Sequence, residues 1–428
     1  MLSFVSICAG DEWNLSDGKK ASITSVVFAG ELIGAYFWGP FADIFGRRKS
    51  FIFACVFITS AGFLSAVAPN FEILAFLRFV VGFGVGGLAV PFDLLAEFMP
   101  LSHRGTFLLY IELYWTVGSL FVGGIAWASL ESQGWRFLAY MTAVPVVLSL
   151  LTTLYFLPES PRWLLEQGKV AEAEQVIRLA ARRNNQTLEP FRLKEVSEKD
   201  KVKVTYFELV REGRYRISLP LWITWMAFGF TYYGVILFVT RVFTTSSSSS
   251  SSCSFDYEAI FINAVSEVVG VAVAALVIDR IGRTRSQAIL YLVSGVSVAC
   301  MGLRLSAAEM IFVSTLARLS VFSASSVTWV ATSELYSTNI RGTGHSVCSA
   351  MARIGALFSP YLVESSLSNS FVGGQLFLIN IVAAVSSSLL PETKGEMAIF
   401  NCFILASLTV LLCGVPPHQD RILLFRYQ

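Results

Sequence analysis

The sequence has 428 residues, 54% of them hydrophobic and only 14% charged, and its 32 basic and 30 acidic side chains nearly cancel. A water-soluble domain carries about a quarter charged residues, so this chain, with a mean hydropathy of +0.63, lacks the polar surface to cover its own volume. Its 35 Phe and 9 Trp also exclude a disordered chain, which leaves a protein that crosses the bilayer many times.

In chain order, residues 1–9 make about half a helix, without the basic start and small-residue cleavage site of a secretory signal. Apolar stretches follow at 21–42, 50–68, 72–92, 106–128, 135–157, 217–241, 257–279, 286–303, 309–331, 344–363 and 373–390. Each is close to the roughly 20 residues that span a bilayer. After the fifth comes a polar segment, 162–216, holding 13 basic and 9 acidic residues. Within it 166–183 alternates Val176, Ile177 and Leu179 with Glu172, Glu174 and Arg178, the pattern of an amphipathic surface helix. Seven consecutive serines at 246–252 form a low-complexity connector, expected to be disordered and outside any core. An apolar run at 397–415 is expected to rest at the interface or pack loosely rather than span. The seven cysteines show no metal-binding spacing and mostly lie in apolar runs, where small buried hydrophobes are expected.

Charge placement orients the chain. If the spans alternate, Arg47, Arg48, Lys49, Arg104, the basic residues of 162–216, Arg280, Arg283, Arg285, Arg341 and Lys394 share one face, which the positive-inside rule makes cytosolic. The other face carries Asn14-Leu-Ser16, a glycosylation sequon.

An internal repeat sets the architecture. Ala42-Asp43-Ile-Phe-Gly46-Arg47-Arg48-Lys49 returns as Ile278-Asp279-Arg-Ile-Gly282-Arg283-Thr284-Arg285, with Asp43 and Asp279 236 positions apart. Glu97 with Arg104 returns as Glu334 with Arg341, Arg78 as Arg318, and Pro158-Glu159-Ser160 as Pro391-Glu392-Thr393. A duplicated helical bundle follows, with halves related about the membrane normal. The expected domains are a bundle at 1–161, a linker at 162–216, a second bundle at 217–395 and a tail at 396–428. Each repeated loop lies between the second and third helices of its half. Glycine permits the sharp turn there, and the arginines are placed to latch the bundles on the cytosolic side in one state; a static, lipid-anchoring loop is the alternative.

Gly39-Pro-Phe-Ala42-Asp43-Ile-Phe-Gly46-Arg47-Arg48-Lys49 resembles the signature loop of the major facilitator superfamily. Pro158-Glu159-Ser160-Pro161-Arg162-Trp163 and Pro391-Glu392-Thr393-Lys394-Gly395 resemble the signatures that end the two halves of its sugar-porter-like members. Trp13-Asn-Leu-Ser16, Phe230-Thr-Tyr-Tyr-Gly234, and Glu267 ahead of Asp279 are similar to the branch of synaptic-vesicle-2-related proteins and niacin and organic-cation transporters. The resemblance implies an all-α membrane protein of two pseudo-symmetric six-helix bundles, here with the first helix incomplete. It also implies secondary transport of a small organic solute by alternating access. A cytosolic gate would comprise Asp43, Gly46, Arg47, Arg48, Glu97 and Arg104 with Asp279, Gly282, Arg283, Arg285, Glu334 and Arg341.

Ionisable residues inside apolar spans are costly and mark function. They are Glu31, Asp93, Glu112, Glu267, Arg78, Arg318 and Arg353. Glu112 and Glu267 are the expected proton or cation carriers, with Arg318 or Arg353 holding them in the unoccupied state; structural ion pairing is the alternative. Glu31 stands 236 positions before Glu267 but departs from the apolar residue expected in relatives. The acids that relatives place in the first helix have no counterpart here, so either Arg78 pairs within the bundle, with Asp93 or Glu112, or that site is broken. Trp115, Tyr232, Tyr233 and Asn263, with Trp225, Trp329 and Tyr336, are expected around the cavity, most of the aromatics as packing residues. Aromatic walls near carboxylates suit a cationic or ring-bearing solute. Two alternatives stay open: a hexose-like sugar–proton symporter, and a non-transporting protein of the same fold. Residues 222–240 contain no Gln or Asn to read hydroxyls, which counts against a sugar.

No cofactor is implied. The glycine run 82–87 lies inside a span and serves helix packing, so no nucleotide is expected. His103, His345 and His418 form no cluster, and the basic residues follow topology rather than nucleic acid binding. The expected partners are a small organic solute, protons and the lipid bilayer.

Overall fold

A computed structural model describes residues 1–98, 104–186, 191, 193, 206–245, 253–336 and 340–393; the side chains of Asp93, Ala96, 104–113, Thr245 and Asp279 are outside that description. The serine run, the tail beyond Thr393 and the roles given to Asp93, Arg104, Glu112 and Asp279 therefore lie outside the described residues or side chains.

The first half comprises α1 (Leu2–Glu12), α2 (Asp17–Phe45), α3 (Arg47–Ala66), α4 (Phe71–Val85), α5 (Ala89–Phe98) and α6 (Arg104–Phe156). A single 3-10 turn at Gly86–Leu88 joins α4 to α5, so the two make one span. α6 is two helices in sequence: Gly134, at φ +76 and ψ 177, breaks it where the sequence separates 106–128 from 135–157. On the polar segment stand α7 (Pro161–Glu166) and α8 (Val170–Arg183). The amphipathic helix expected from residue 166 starts later, because Gly168 at φ +74 interrupts the chain.

The second half comprises α9 (Tyr215–Val242), α10 (Tyr257–Ile281), α11 (Arg283–Met301), α12 (Ala307–Leu335), α13 (Arg341–Val363) and α14 (Asn369–Ser388). A two-stranded ribbon, β1 (Thr244–Thr245) with β2 (Ser254–Phe255), closes the α9–α10 connection. All eleven expected spans coincide with helices. Nine segments among the described residues are long and apolar enough to cross a membrane.

Local chemistry explains the boundaries. The Asn70 side chain accepts from the Ile73 N–H, Asp256 from Ala259 and Ser368 from Phe371, while Ser306 and Glu309 form a reciprocal capping box. These side chains satisfy helix-start donors that otherwise lack partners. Gly46 (φ +104) and Gly282 (φ +95) separate α2 from α3 and α10 from α11. Both adopt a backbone open to glycine. A Cβ at either would strike the carboxylate of Glu159 or Glu392.

The helices cross closely where they lack side chains. Gly30 and Gly82 bring α2 against the backbone of α4, and Gly229 and Gly355 do the same for α9 and α13, the small-residue packing that membrane helices use. Outward, Tyr36, Phe76, Tyr155, Phe312 and Leu389 stand exposed. Lipid is the solvent that accommodates such a surface. Inside, Ser320, Ser323, Ser326 and Thr328 on α12 return their hydroxyls to carbonyls one turn back, so these four hydroxyls are buried without being left orphan.

One expectation is corrected. Cys8 of α1 and Cys253, beside β2, form a disulfide with Cα atoms 5.4 Å apart, joining the first half to the second. Spacing of 245 residues hid the pair, which exists only once α1 meets the ribbon. Cys55 and Cys348 are buried free thiols, as expected.

Candidate functional site: a carboxylate shared between the two halves

Glu267, at the middle of α10, is fully buried. Arg318 of α12 holds it through Nη2 at 2.9 Å and Nε at 3.0 Å, both to Oε1. The Tyr232 hydroxyl of α9 donates to the same oxygen at 3.3 Å. Thr116, on α6 of the other half, donates to Oε2 at 3.3 Å, and its neighbour Trp115 donates from Nε1 to the Tyr232 hydroxyl at 2.7 Å. The carboxylate is thus neutralised from within its own half and hydrogen-bonded from the opposite one. Displacement of Glu267 from Arg318 would alter bonds on both sides of the seam.

Glu31 of α2 faces Arg353 of α13 across the same seam, with Nε 3.7 Å from Oε2, beyond hydrogen-bonding distance. Arg353 spends Nη1 on the Ser349 carbonyl at 2.9 Å. The two candidate arginines therefore divide the carboxylates between them: Arg318 takes Glu267, and Arg353 stands by Glu31. Arg78 is 2% exposed and directs Nη1 to the Met1 sulfur at 3.4 Å. Tyr233 packs on Phe28 of the other half with ring centroids 4.4 Å apart. Asn263 is held by the Ala259 carbonyl at 2.8 Å and Ser314 at 3.0 Å. The aromatic residues expected around the cavity divide similarly. Trp225 and Trp329 enclose His345, at 5.3 and 4.6 Å between centroids, and Tyr336 donates to Ser218.

The repeated loops form two matching clusters on the linker side. In the first half Arg47 pairs with Asp43 at 2.7 Å and approaches Glu97 at 3.9 Å. Glu159 accepts from the Arg48 N–H at 3.1 Å, and Ser160 donates to Glu97. In the second half Arg283 grips Glu334 at 3.0 and 3.1 Å, Glu392 accepts from the Arg283 N–H at 2.8 Å, and Thr393 donates to Glu334. The equivalence of Arg47, Glu97 and Glu159 with Arg283, Glu334 and Glu392 is therefore geometric as well as sequential. Sequence reasoning had these clusters locking one bundle to the other. In this conformation the pairs among the described residues lie within each half, while Arg285 and Arg341 are exposed.

Polar ties between the halves gather on the opposite face. Ser22 meets Tyr361 at 3.3 Å, Ser25 donates to the Leu357 carbonyl at 2.8 Å, Thr240 donates to Ser3 at 3.2 Å, and Ser6 donates to Glu364 at 2.8 Å. Sequence reasoning misses this seam and the part played by Thr116. A hydroxyl in an apolar helix carries no sequence signal that tells a self-bonded serine from one that crosses an interface.

Two helical halves that meet beside a buried ion pair have the architecture of a multi-pass membrane transporter. The chain matches the sugar (and other) transporter family over residues 7–398 and belongs to it, within the major facilitator superfamily. It is 33% identical to "Organic cation/carnitine transporter 7" of Arabidopsis thaliana over 92% of this chain and 88% of that protein. It is 31% identical to "Synaptic vesicle 2-related protein" of Xenopus laevis over 90% and 73%. Among solved structures, the inward-open xylose transporter XylE from E. coli superposes with a TM-score of 0.69 at 19% identity, covering 94% of this chain and 96% of that one. This last likeness concerns the fold alone.

Proposed function

We propose that the protein is a proton-coupled secondary transporter of a small organic solute, an organic cation or an aromatic carboxylate, working by alternating access. Bundles 1–161 and 217–395 rock about a midplane site, with linker 162–216 on the cytosolic side, in a plasma or internal membrane. The observation that carries this reading is Glu267, buried without exposure and bonded by Arg318 on one side and Thr116 on the other. Protonation of that carboxylate releases Arg318 and weakens the hold of the second half on α6, so proton binding and bundle movement share one group. The aromatic residues Trp115, Tyr232 and Tyr233 around it suit a cationic or ring-bearing solute, in keeping with the organic cation/carnitine transporter among its relatives.

The test is uptake into proteoliposomes under an inward proton gradient, with labelled carnitine, choline, nicotinate and glucose in parallel, each with and without a protonophore. Accumulation of one solute that collapses with the protonophore, and is lost in Glu267→Gln while membrane insertion persists, is the expected result. Protonophore-insensitive accumulation, or uptake by Glu267→Gln equal to the parent, overturns the coupling role.

A further inference from the structure

Glu364 ends α13 on the face away from the linker, immediately after Val363. Its Oε1 accepts from Ser6 of α1 at 2.8 Å and from Thr24 of α2 at 3.3 Å, so the end of a second-half helix is held by two helices of the first. Its Oε2 is shut off from water and, among the described residues, has no hydrogen-bond partner. An anionic oxygen in that position is costly, whereas a proton on it removes the net charge.

The cations nearby are committed elsewhere. Lys20 of α2 is paired with Asp11 of α1 at 2.6 Å. Lys19 lies over the Phe71 ring. Arg241 of α9, which feels the charge of Asp17 of α2, donates to the carbonyls of Val363, Ser365 and Leu367. Glu12 is turned to Arg136 and Trp135 of α6. Around Glu364 the same seam is sealed by Ser22 with Tyr361 and by Ser25 with Leu357.

We propose that Glu364 is a second proton-binding site, at the extracytosolic gate, whose carboxyl holds α1 and α2 to α13 when neutral and lets them part when charged. The extracytosolic placement and the rocking motion rest on the function proposed above; the seam geometry does not. Burial raises this carboxyl from 4.5 to about 7, against the opposing pull of Ser6, Thr24 and Lys20. In an opened, hydrated gate the ordinary value returns. The closed gate is thus the form that binds the proton more tightly. Closure is strongest below 4.5, weakens as the pH rises from there to about 7, and is weakest above. Acid outside then favours the state open to the cytosol, which complements release of the Glu267 proton inside.

Ser25 is buried beneath the closed seam, so Ser25→Cys reports its opening. The reporter is placed in a chain keeping only the Cys8–Cys253 bridge and reconstituted in proteoliposomes. A membrane-impermeant maleimide is then added to the extracytosolic side. Rates are divided by those of Gly18→Cys, an exposed position with open space around it, which removes the intrinsic pH dependence of the thiol. The expected result is a relative rate that rises at least about tenfold from about pH 5 to about pH 8, flat and low in Glu364→Gln and still rising in Glu364→Asp. A flat parent profile, or a Glu364→Gln profile matching the parent, overturns the proposal. Repeating the measurement in Glu267→Gln separates the two readings: loss of the central coupling role leaves the Glu364-dependent alkylation profile in place.

Discussion

The hydroxyl of Thr116 and the carboxylate of Glu267 lie on helices from opposite halves of a duplicated fold, and one donates to the other at 3.3 Å. The partner that neutralises Glu267, Arg318, belongs to its own half. The ion pair therefore fixes the charge, and the threonine reports it across the seam. Thr116→Val keeps the shape and removes the donor. A hydrogen bond to a charged group contributes about 1.5–3 kcal/mol and less at this long separation, so with the coupling role proposed above uptake is expected to fall by up to about tenfold, with little change in protein yield. Tyr232→Phe, which removes a second donor to the carboxylate and the acceptor for Trp115, is expected to shift it in the same direction. Uptake against pH in reconstituted vesicles measures both.

The buried arginine clusters set a second expectation. Arg283 and Glu334 are 4% and 9% exposed in their side chains, so Glu334→Gln removes a buried counter-charge from the guanidinium. Such a loss costs about 3–5 kcal/mol. The pair Arg162–Glu166, with Arg162 74% exposed, contributes at most about 1 kcal/mol. Thermal unfolding in detergent, followed by size-exclusion chromatography, is expected to show a large loss for Glu334→Gln and almost none for Glu166→Gln.

Helix crossing gives a third. A methyl group at Gly82 meets the backbone of Val27, and one at Gly30 meets that of Phe79. Backbone cannot move aside as a side chain can, so Gly82→Ala is expected to destabilise the fold by about 1–3 kcal/mol. Gly118 has open space where its Cβ would be, and Gly118→Ala is expected to be neutral or slightly stabilising. The same unfolding assay compares them.

A fourth concerns the bridge. Proteolytic mapping without reductant is expected to recover a peptide containing Cys8 linked to one containing Cys253. Cys253→Ser is expected to release it at a stability cost of about 2–4 kcal/mol.

The sequence made the bundles legible because hydrophobic length and a repeated loop are chemical patterns that the bilayer enforces. All eleven spans, the Gly46 and Gly282 turns and the candidacy of Glu267 with Arg318 were readable in this way. Glu267 stood out because a carboxylate in an apolar helix is expensive. Thr116, Ser6 and Thr24 did not, since a hydroxyl is tolerated in any membrane helix by bonding its own backbone. The bridge was hidden for a different reason: Cys8 and Cys253 sit 245 residues apart, and only the approach of the halves decides which cysteines meet. The direction of the gate clusters was equally undetermined, because Arg283 has acids within reach in its own half and spacing alone does not rank them.

The bridge between Cys8 and Cys253 also changes what kind of object the polypeptide is. The first half runs into the second through residues 162–216, and the disulfide joins them again from α1 to the ribbon after α9. Together these links close a covalent ring that threads both bundles. A protease that nicks the linker opens the ring without dividing it, so the two products stay one particle until reductant is added. Severing the halves takes two chemically different cuts, one through a peptide bond and one through sulfur, made on opposite faces of the molecule.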